Sequence, residues 1–423
     1  MVASAQSGSS MNQVQSLSAS AEFRRGWGTI LASVLGIGLG MAAVPTYSMG
    51  LFAPHLAKEF GWSIGQIMTS MMVITLMSLV GGPLYGAWAD KIGVRRIVLV
   101  ALPVWGLGFA SLALSNGSLT RFYLTWLVVG AVGAATLPIT FTRAVNRGFD
   151  KAKGLALGLS MTGTGLFGIF GKPLLAWVLA AYGWRMGFIV LGMMPVLVAT
   201  PLVALLLREE KGASPAAPVA ELVERPGMTV REALHDWRFW LIAVALVPIS
   251  FALGGPVPNL ELILKDGGIT PEQALTITPL MGLASITGRL VGGWLLDRVW
   301  APLVGTVLLS APALSFWYFS SGTLDVVQAR AAVFVLSFAL GIEYDLVAFL
   351  VARYFGLKRY SAIYGLLYVC FAAGAGFAPM VFGRNHDASG NFHSILMQCA
   401  VVLVAFSLAF LALGKYRRFE AEA

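Results

Sequence analysis

The stretch KEFGWSIGQ at residues 58–66 leads into an apolar run that ends in GAWADK at residues 86–91. A second stretch, KDGGITPEQ at residues 265–273, leads into an apolar run that ends in GWLLDR at residues 293–298. The lysine, acid, glycine, hydroxyl, glutamine, aspartate and final cation of the two copies match at one offset of 207 residues. The repeat predicts two similar halves of apolar helices, which is the architecture of secondary transporters.

The composition predicts a membrane protein. Hydrophobic residues make up 57% of the 423 residues, charged residues only 12%, and the mean hydropathy is +0.78, whereas a soluble domain has roughly 25% charged residues. Apolar runs long enough for a hydrocarbon core of about 30 Å begin near residues 27, 66, 97, 121, 154, 187, 239, 273, 302, 329, 360 and 393. We therefore predict an all-α membrane protein, with twelve transmembrane helices in two pseudo-symmetric six-helix bundles.

Polar segments predict the domain boundaries. The expected order is a disordered cytoplasmic tail (1–26), a first six-helix bundle (27–208), a cytoplasmic linker (209–238), a second bundle (239–415) and a cytoplasmic tail (416–423). The first tail lacks the apolar core of a signal peptide. Capping-box patterns at Ser63, Thr229 and Thr270 predict the starts of the second span, of a short helix in the linker and of the eighth span.

The net charge of +9 is unevenly distributed. About 20 of the 29 Lys and Arg residues fall in the predicted linker, at the chain ends and in the turns after even-numbered spans, and six fall on the other side. Since cytoplasmic loops carry the excess of Lys and Arg, both termini are predicted to be cytoplasmic and the protein to lie in the cell membrane. The basic charge then reflects topology, and no nucleic-acid partner is expected.

The turn after the second span carries the pattern G-x-x-x-D-K-x-G-x-R-R at residues 86–96. Gly86 permits close helix contact, Gly93 permits a tight turn, and Asp90 can bind a helix N-terminus or a following arginine. The eighth span ends in a partial copy of the pattern. Such a cluster can hold two halves together in one state and release them in another. The predicted gating residues are Gly86, Asp90, Lys91, Gly93, Arg95, Arg96, Gly293, Asp297 and Arg298.

This turn and its echo resemble the signature loop of the major facilitator superfamily, and the resemblance covers about residues 27–415. FGWS at residues 60–63, RLVGGWLLDR at residues 289–298 and Tyr364-Gly365 resemble the branch of monocarboxylate transporters and oxalate:formate antiporters. The resemblance implies a carrier of small organic carboxylates.

Two positions depart from the family pattern. Trp126 precedes Gly130 in the fourth span, where the superfamily usually has an arginine motif. Ser285 lies one turn before Arg289, where monocarboxylate carriers often have an acid. Both departures concern how transport is coupled to another ion.

Five charged side chains are predicted to lie well inside spans, and each should face a cavity or a partner because charge is costly in hydrocarbon. They are Arg143, Lys172, Arg289, Glu343 and Asp345. Three cations and two acids give a net charge of +1, which favours an organic monoanion as the substrate.

Arg289 has two interpretations. Its guanidinium fork can receive a substrate carboxylate, as the resemblance implies, since carriers of this branch use an arginine in the eighth span. It can instead form a permanent ion pair with the tenth span. Glu343 and Asp345 lie at a similar depth but about 200° apart around a helix, so they cannot both face one site. One of them is predicted to pair with Arg289 or to carry a proton.

Lys172 in the fifth span has Ala378 as its counterpart in the second half, so a cation lies at only one of two equivalent seams. A ligand role and local pairing are both open for Lys172, and Arg143 is expected to anchor the end of the fourth span. The predicted substrate-binding residues are Arg289, Lys172, Tyr47, Asn259 and Tyr344.

The leading prediction is a carboxylate carrier that works by alternating access, as proton symport or anion exchange. Its expected partners are a small organic carboxylate, protons and the lipid bilayer. The alternative is a proton-driven exporter of drugs or aromatic compounds, which would favour a deep acid in the first half. No enzyme, metal or cofactor is expected, because the residues suited to such chemistry are scattered: His55, His235, His386, His393, Cys370 and Cys399.

Overall fold

The computed structural model describes residues 19–149, 153–207, 227–417 and 419. These residues are helical almost throughout, with one isolated β-bridge between Gly227 and Gly356. Parts of the predicted tails (1–18, 418 and 420–423), most of the predicted linker (209–226) and residues 150–152 and 208 of the predicted first bundle lie outside the described residues.

The described residues form twelve membrane crossings, as predicted. Ten segments are long and apolar enough to cross a membrane. One of them, Gly154–Leu206, has 53 residues, or about 80 Å of helix, and contains two crossings. The chain turns between them at Gly183, whose φ of +80° is readily adopted only by glycine. A further crossing, the first, is divided by a turn at residues 39–43.

The first half begins at Ala19, before the predicted start at residue 27, because Phe23 packs edge-on against Phe149. Its helices are Ala19–Gly38 and Val44–Phe60 in the first span, Ile64–Ile92 in the second, Val94–Ser111 and Leu112–Leu114 in the third, and Leu119–Gly133, Ala134–Thr136 and Pro138–Gly148 in the fourth. The fifth and sixth spans share Lys153–Leu166, Phe167–Gly171, Lys172–Met194, Pro195–Ala199 and Thr200–Leu206.

The second half repeats the pattern, and its first crossing is again divided. A short helix, Val230–His235, precedes it. The helices are Trp237–Gly254 and Pro256–Asp266 in the seventh span, Pro271–Ile277 and Leu280–Leu296 in the eighth, Ala301–Ser310 and Pro312–Phe319 in the ninth, Val326–Phe355 in the tenth, Tyr360–Ser389 in the eleventh, and His393–Ala409 with Phe410–Leu413 in the twelfth.

Capping boxes start the second and eighth spans at equivalent places, as predicted. The Ser63 hydroxyl accepts from the Gln66 amide at 3.2 Å, and the Gln66 side chain accepts from the Ser63 amide at 2.9 Å. Thr270 and Gln273 make the same pair of bonds. Each box satisfies two amides that a helix N-terminus would otherwise leave unpaired.

The two membrane faces differ in what they carry. The linker face, as we call it, carries the described ends of the chain and both residues that flank segment 208–226. There the Met228 amide donates to the Phe355 carbonyl at 2.8 Å, and the Arg238 side chain donates to the Leu413 carbonyl at 3.0 Å. The other membrane face is called the opposite face.

The halves touch near the opposite face, and the eleventh span caps the second there. The Asp387 carboxylate of the second half accepts from the Ile64 and Gly65 amides of the first half, at 2.9 and 2.8 Å. Gly383, one turn earlier, lies against the backbone of Gly65. A carboxylate at a helix N-terminus is favoured by the unpaired amides and by the helix dipole. The opposite face is therefore closed.

Toward the linker face the halves separate. One face of the fifth span carries Gly158 and Gly165, seven residues or about two turns apart. A Cβ atom at Gly165 would overlap Ile286 of the second half, whereas one at Gly158 would meet nothing within 4 Å. On the eleventh span, Gly376 lies against Thr75, and Gly365, three turns nearer the linker face, again has nothing within 4 Å. We infer that the two halves enclose a central cavity that opens to the linker face.

Candidate functional site

A buried ion pair joins the two halves at the closed end of the cavity. Lys172, at the start of a helix in the fifth span, places its Nζ 2.5 Å from an oxygen of Glu261 in the seventh span. Their side chains are 1% and 11% exposed. Gly50 of the first span lies directly against the Glu261 carboxylate, where a Cβ atom would overlap it. A larger residue at position 50 would therefore displace the Glu261 carboxylate.

Tyr47 extends the contact between the halves. Its ring centroid lies 5.9 Å from the Lys172 Nζ, and its hydroxyl lies near Ser285 of the eighth span. The Met281 sulfur, one turn before Ser285, lies 3.6 Å from the same Nζ. Lys172 and Tyr47 therefore lie next to Met281 and Ser285 of the second half. Arg289 lies one turn further along the same span.

Arg289 makes a looser ion pair on the open side of the cavity. Its Nε lies 3.8 Å from an oxygen of Asp345 on the tenth span, and the two side chains are 20% and 37% exposed. Because 3.8 Å exceeds a charge-assisted hydrogen bond, the two groups attract each other without being locked together. Asp345 is thus the acid that faces Arg289.

Glu343, two residues earlier, faces the interior of the bundle. It is 1% exposed, and its Oε1 has no hydrogen-bond partner among the described residues. The opposite placement of Glu343 and Asp345 agrees with the angle that the helical repeat predicts.

Aromatic side chains of the tenth and eleventh spans form a wall beside Arg289 and Asp345. Tyr360 and Tyr364 stack at 5.9 Å, and Tyr344 contacts Phe371 at 4.4 Å. The tyrosine rings are partly exposed. We call the following set the tyrosine wall: Tyr344, Tyr360, Tyr364, Tyr368 and Phe371.

Asn259 lies apart from the open cavity. It is fully buried, and its amide donates to the carbonyls of Gly255 at 2.8 Å and Pro379 at 3.4 Å. In this conformation Asn259 joins the seventh span to the eleventh. Arg143, the predicted anchor, lies in helix Pro138–Gly148 toward the linker face.

The predicted gating residues lie at the linker face. Gly93 takes a φ of +92° at the turn, and the Arg95 side chain donates to the Ala204 carbonyl at 2.9 Å. Arg298 stacks on Trp294 at 4.4 Å. Lys91, Arg96 and Asp297 are exposed, and Gly293 has open space around it. Gly86 and Asp90 belong to the helix Ile64–Ile92, and the surroundings of these two residues lie outside the described set.

Glu261 was missed by sequence reasoning. It lies close to the polar end of the seventh span at Lys265-Asp266, and helix Pro256–Asp266, with Pro256 in its first turn, places it inside the bundle. The polar Asn259, predicted to lie inside this span, was the signal that the helix continues. With Glu261 counted, three acids balance three cations, so the predicted net charge of +1 is wrong.

Comparison with known protein families and curated proteins points to one class of protein. The sequence profile of the Major Facilitator Superfamily matches residues 26–379. Monocarboxylate transporter 11 of Mus musculus is 24% identical over 402 residues, covering 92% of this chain and 88% of the relative. The gallate transporter of Pseudomonas putida is 27% identical over 373 residues, covering 75% and 80%. An uncharacterized 38 kDa protein of Thermoproteus tenax is 30% identical, covering 86% and 90%.

Solved structures with the same fold include two transporters. A bacterial homolog of the human lysosomal transporter Spinster aligns with a TM-score of 0.70 at 15% identity, covering 92% of this chain and 96% of that one. The nucleoside transporter NupG aligns with a TM-score of 0.71 at 15% identity, covering 92% and 99%.

Proposed function

The chain belongs to the Major Facilitator Superfamily, and we propose that it moves a small organic carboxylate across the membrane by alternating access, as proton symport or anion exchange. It is a transporter and not an enzyme, as its family and the named transporters among its relatives indicate. The names of two relatives, a monocarboxylate transporter and a gallate transporter, support an organic anion as the substrate.

The loose pair of Arg289 and Asp345 carries the proposal. A substrate carboxylate can form two parallel charge-assisted hydrogen bonds with a guanidinium fork, which is a better contact than the 3.8 Å approach of Asp345. Arg289 is 20% exposed in a cavity that is open to the linker face. A substrate entering from that face would displace Asp345 as the partner of Arg289.

Alternating access then requires the opposite face to open. The contacts that would separate are the Asp387 cap on the second span, the glycine contacts near Gly383 and Gly376, and the Lys172–Glu261 pair. The gating residues at the linker face would close as the opposite face opens. The cell membrane with cytoplasmic termini remains the expected location, in which case the present state is open to the cytoplasm.

Coupling to protons would use a carboxyl group in the bundle. Asp345 and Glu343 are the predicted carriers, and Glu261 joins them because protonation would release Lys172 from its partner. All three acids lie in the second half, and their exposed fractions are 1% for Glu343, 11% for the Glu261 side chain and 37% for the Asp345 side chain. Anion exchange would need none of them to titrate.

The alternative function, proton-driven export of drugs or aromatic compounds, has one observation in its favour, the tyrosine wall. An exporter of neutral or cationic compounds would not depend on the guanidinium fork. The role of Arg289 therefore separates the two functions.

The test is uptake of labelled monocarboxylates into proteoliposomes, with and without a pH gradient. We expect Arg289→Lys and Arg289→Gln both to lose uptake, because an ammonium cannot reproduce two parallel hydrogen bonds. Arg330→Lys, exposed near the start of the tenth span and hydrogen-bonded to Thr276, is the matched control and should transport normally. If the double variant Arg289→Gln/Asp345→Asn regains parental transport, Arg289 is only a structural partner and the proposal fails.

A further inference from the structure

The tyrosine wall has a regular geometry that packing in a core does not require. Tyr360, Tyr364 and Tyr368 follow one another at four-residue intervals on one face of the eleventh span. Their ring centroids lie 5.9 Å and 6.5 Å apart along the series, with interplanar angles of 6° and 31°. Phe371 continues the series at 5.8 Å and 24°. The rings thus offer a nearly continuous aromatic surface.

The wall lies next to the charged pair of the site. Tyr344 of the tenth span directly precedes Asp345, and its ring centroid lies 6.2 Å from that of Tyr368. Tyr364, whose ring centroid lies 6.5 Å from that of Tyr368, continues the wall along the same helix toward the linker face. Tyr364 also directly precedes Gly365, around which there is open space. The partly exposed rings therefore face the open part of the cavity on the same side as the guanidinium.

Tyrosines near the end of a span often belong to an interfacial belt that anchors the helix in the lipid. A belt would turn its rings outward to the headgroups. Here the rings stack on one another, reach Phe371 well inside the span, and contact the tenth span through Tyr344. The geometry is that of a cavity lining.

We propose that the tyrosine wall is a ring-binding subsite and that the transported anion is an aromatic monocarboxylic acid, with its carboxylate on Arg289 and its ring on Tyr364 and Tyr368. The inference rests on the proposed function, because it needs Arg289 to receive the carboxylate. An offset stack of aromatic rings is favoured beyond the burial of area alone. An aliphatic ring of the same size gains the burial but not the stacking.

The experiment compares two acids of the same carbon skeleton, benzoate and cyclohexanecarboxylate, in proteoliposomes. We expect kcat/KM to be about 2- to 10-fold higher for benzoate, the range that a stacked aromatic pair supplies. The ratio between two substrates of one preparation does not depend on how much of a variant is folded. Tyr364→Phe and Tyr368→Phe should keep the preference, and Tyr364→Leu and Tyr368→Leu should reduce it toward unity.

Tyr182→Leu is the matched control, since Tyr182 is 62% exposed at the far end of the fifth span, and it should keep the parental ratio. Equal transport of the two acids by the parent protein, or a preference that survives both leucine variants, would overturn the subsite. If aliphatic acids such as propionate are carried in an Arg289-dependent way without aromatic preference, only the subsite fails. If no carboxylate is carried, the proposed function and the subsite both fail.

Discussion

The two ion pairs of the cavity differ in distance, burial and the elements that they join. Lys172 and Glu261 approach to 2.5 Å, are almost fully buried and connect the first half to the second. Arg289 and Asp345 stand 3.8 Å apart, are partly exposed and both belong to the second half. The tight pair lies where the halves touch, and the loose pair lies where they separate.

The difference indicates that the two ion pairs have different roles. A buried pair that loses one partner leaves an uncompensated charge in a medium of low dielectric constant, so the remaining charge is strongly destabilising. A partly exposed pair is screened by water and contributes little, so its arginine can exchange partners readily. We expect the tight pair to hold the closed end and the loose pair to serve the substrate.

Breaking the tight pair should have the largest effect. Glu261→Gln would leave Lys172 buried without its counter-charge and should lower the free energy of unfolding by about 3–5 kcal/mol, with loss of transport. The double variant Lys172→Met/Glu261→Met should recover most of the stability, because it removes both charges. Thermal unfolding in detergent measures the stability of the single and the double variant.

Glu59→Gln is the matched control for this substitution. Glu59 pairs with Arg185 at 2.7 Å, but the two side chains are 38% and 50% exposed, so its loss should change the melting temperature little. A Glu261→Gln protein as stable as the parent would contradict the structural role assigned to the tight pair.

The comparison also predicts an effect at the rim of the closed end. Asp387→Ala removes the cap that the second half places on Ile64 and Gly65, and it should destabilise the closed opposite face by about 0.5–2 kcal/mol. A cysteine at Thr75, which touches Gly376, should then react faster with a thiol reagent added from the opposite face.

Asp325→Ala serves as the control for the rim, since Asp325 caps the tenth span within its own half. It should leave the reactivity of the cysteine at Thr75 unchanged. Equal acceleration by both alanine variants would mean that the effect is general loosening and not opening of the seam.

Breaking the loose pair should have a smaller effect, and it should strengthen substrate binding instead of abolishing transport. Asp345→Asn removes the carboxylate that competes for Arg289, so the KM for carboxylate exchange should fall by up to about fivefold. Concentration-dependent exchange in proteoliposomes gives KM directly. A higher KM in Asp345→Asn would show that Asp345 helps to hold the substrate.

Glu343 differs from the acids of both ion pairs, because it has no cation beside it in the described structure. Glu343→Gln keeps the shape of the side chain and should change the free energy of unfolding by less than about 1 kcal/mol. We expect exchange to continue and accumulation driven by a pH gradient to be lost, as for a proton carrier. Uptake that still responds to the gradient would point to anion exchange.

Most of the fold could be predicted because apolar run length and the repeated pairs of motifs depend on local sequence. Arg289 and Asp345 could be predicted as neighbours, since charges inside spans are few and must find partners. Glu261 could not, because it lies near the polar end of the seventh span, where the sequence does not distinguish a buried acid from an exposed one. The tyrosine wall was also missed, since the spacing of Tyr360, Tyr364 and Tyr368 predicts a shared face but not which neighbour it meets.

The order of synthesis gives the Lys172–Glu261 pair a further consequence. The two residues are 89 positions apart, so at about 5–20 residues per second the ribosome makes Glu261 roughly 4–18 s after Lys172. During that interval the newly inserted first half carries a lysine whose counter-charge has not yet been made. Its insertion is costly by about 3 kcal/mol, and docking of the seventh span removes that cost. We therefore expect the first half to reach its final packing around Lys172 only when the second half arrives.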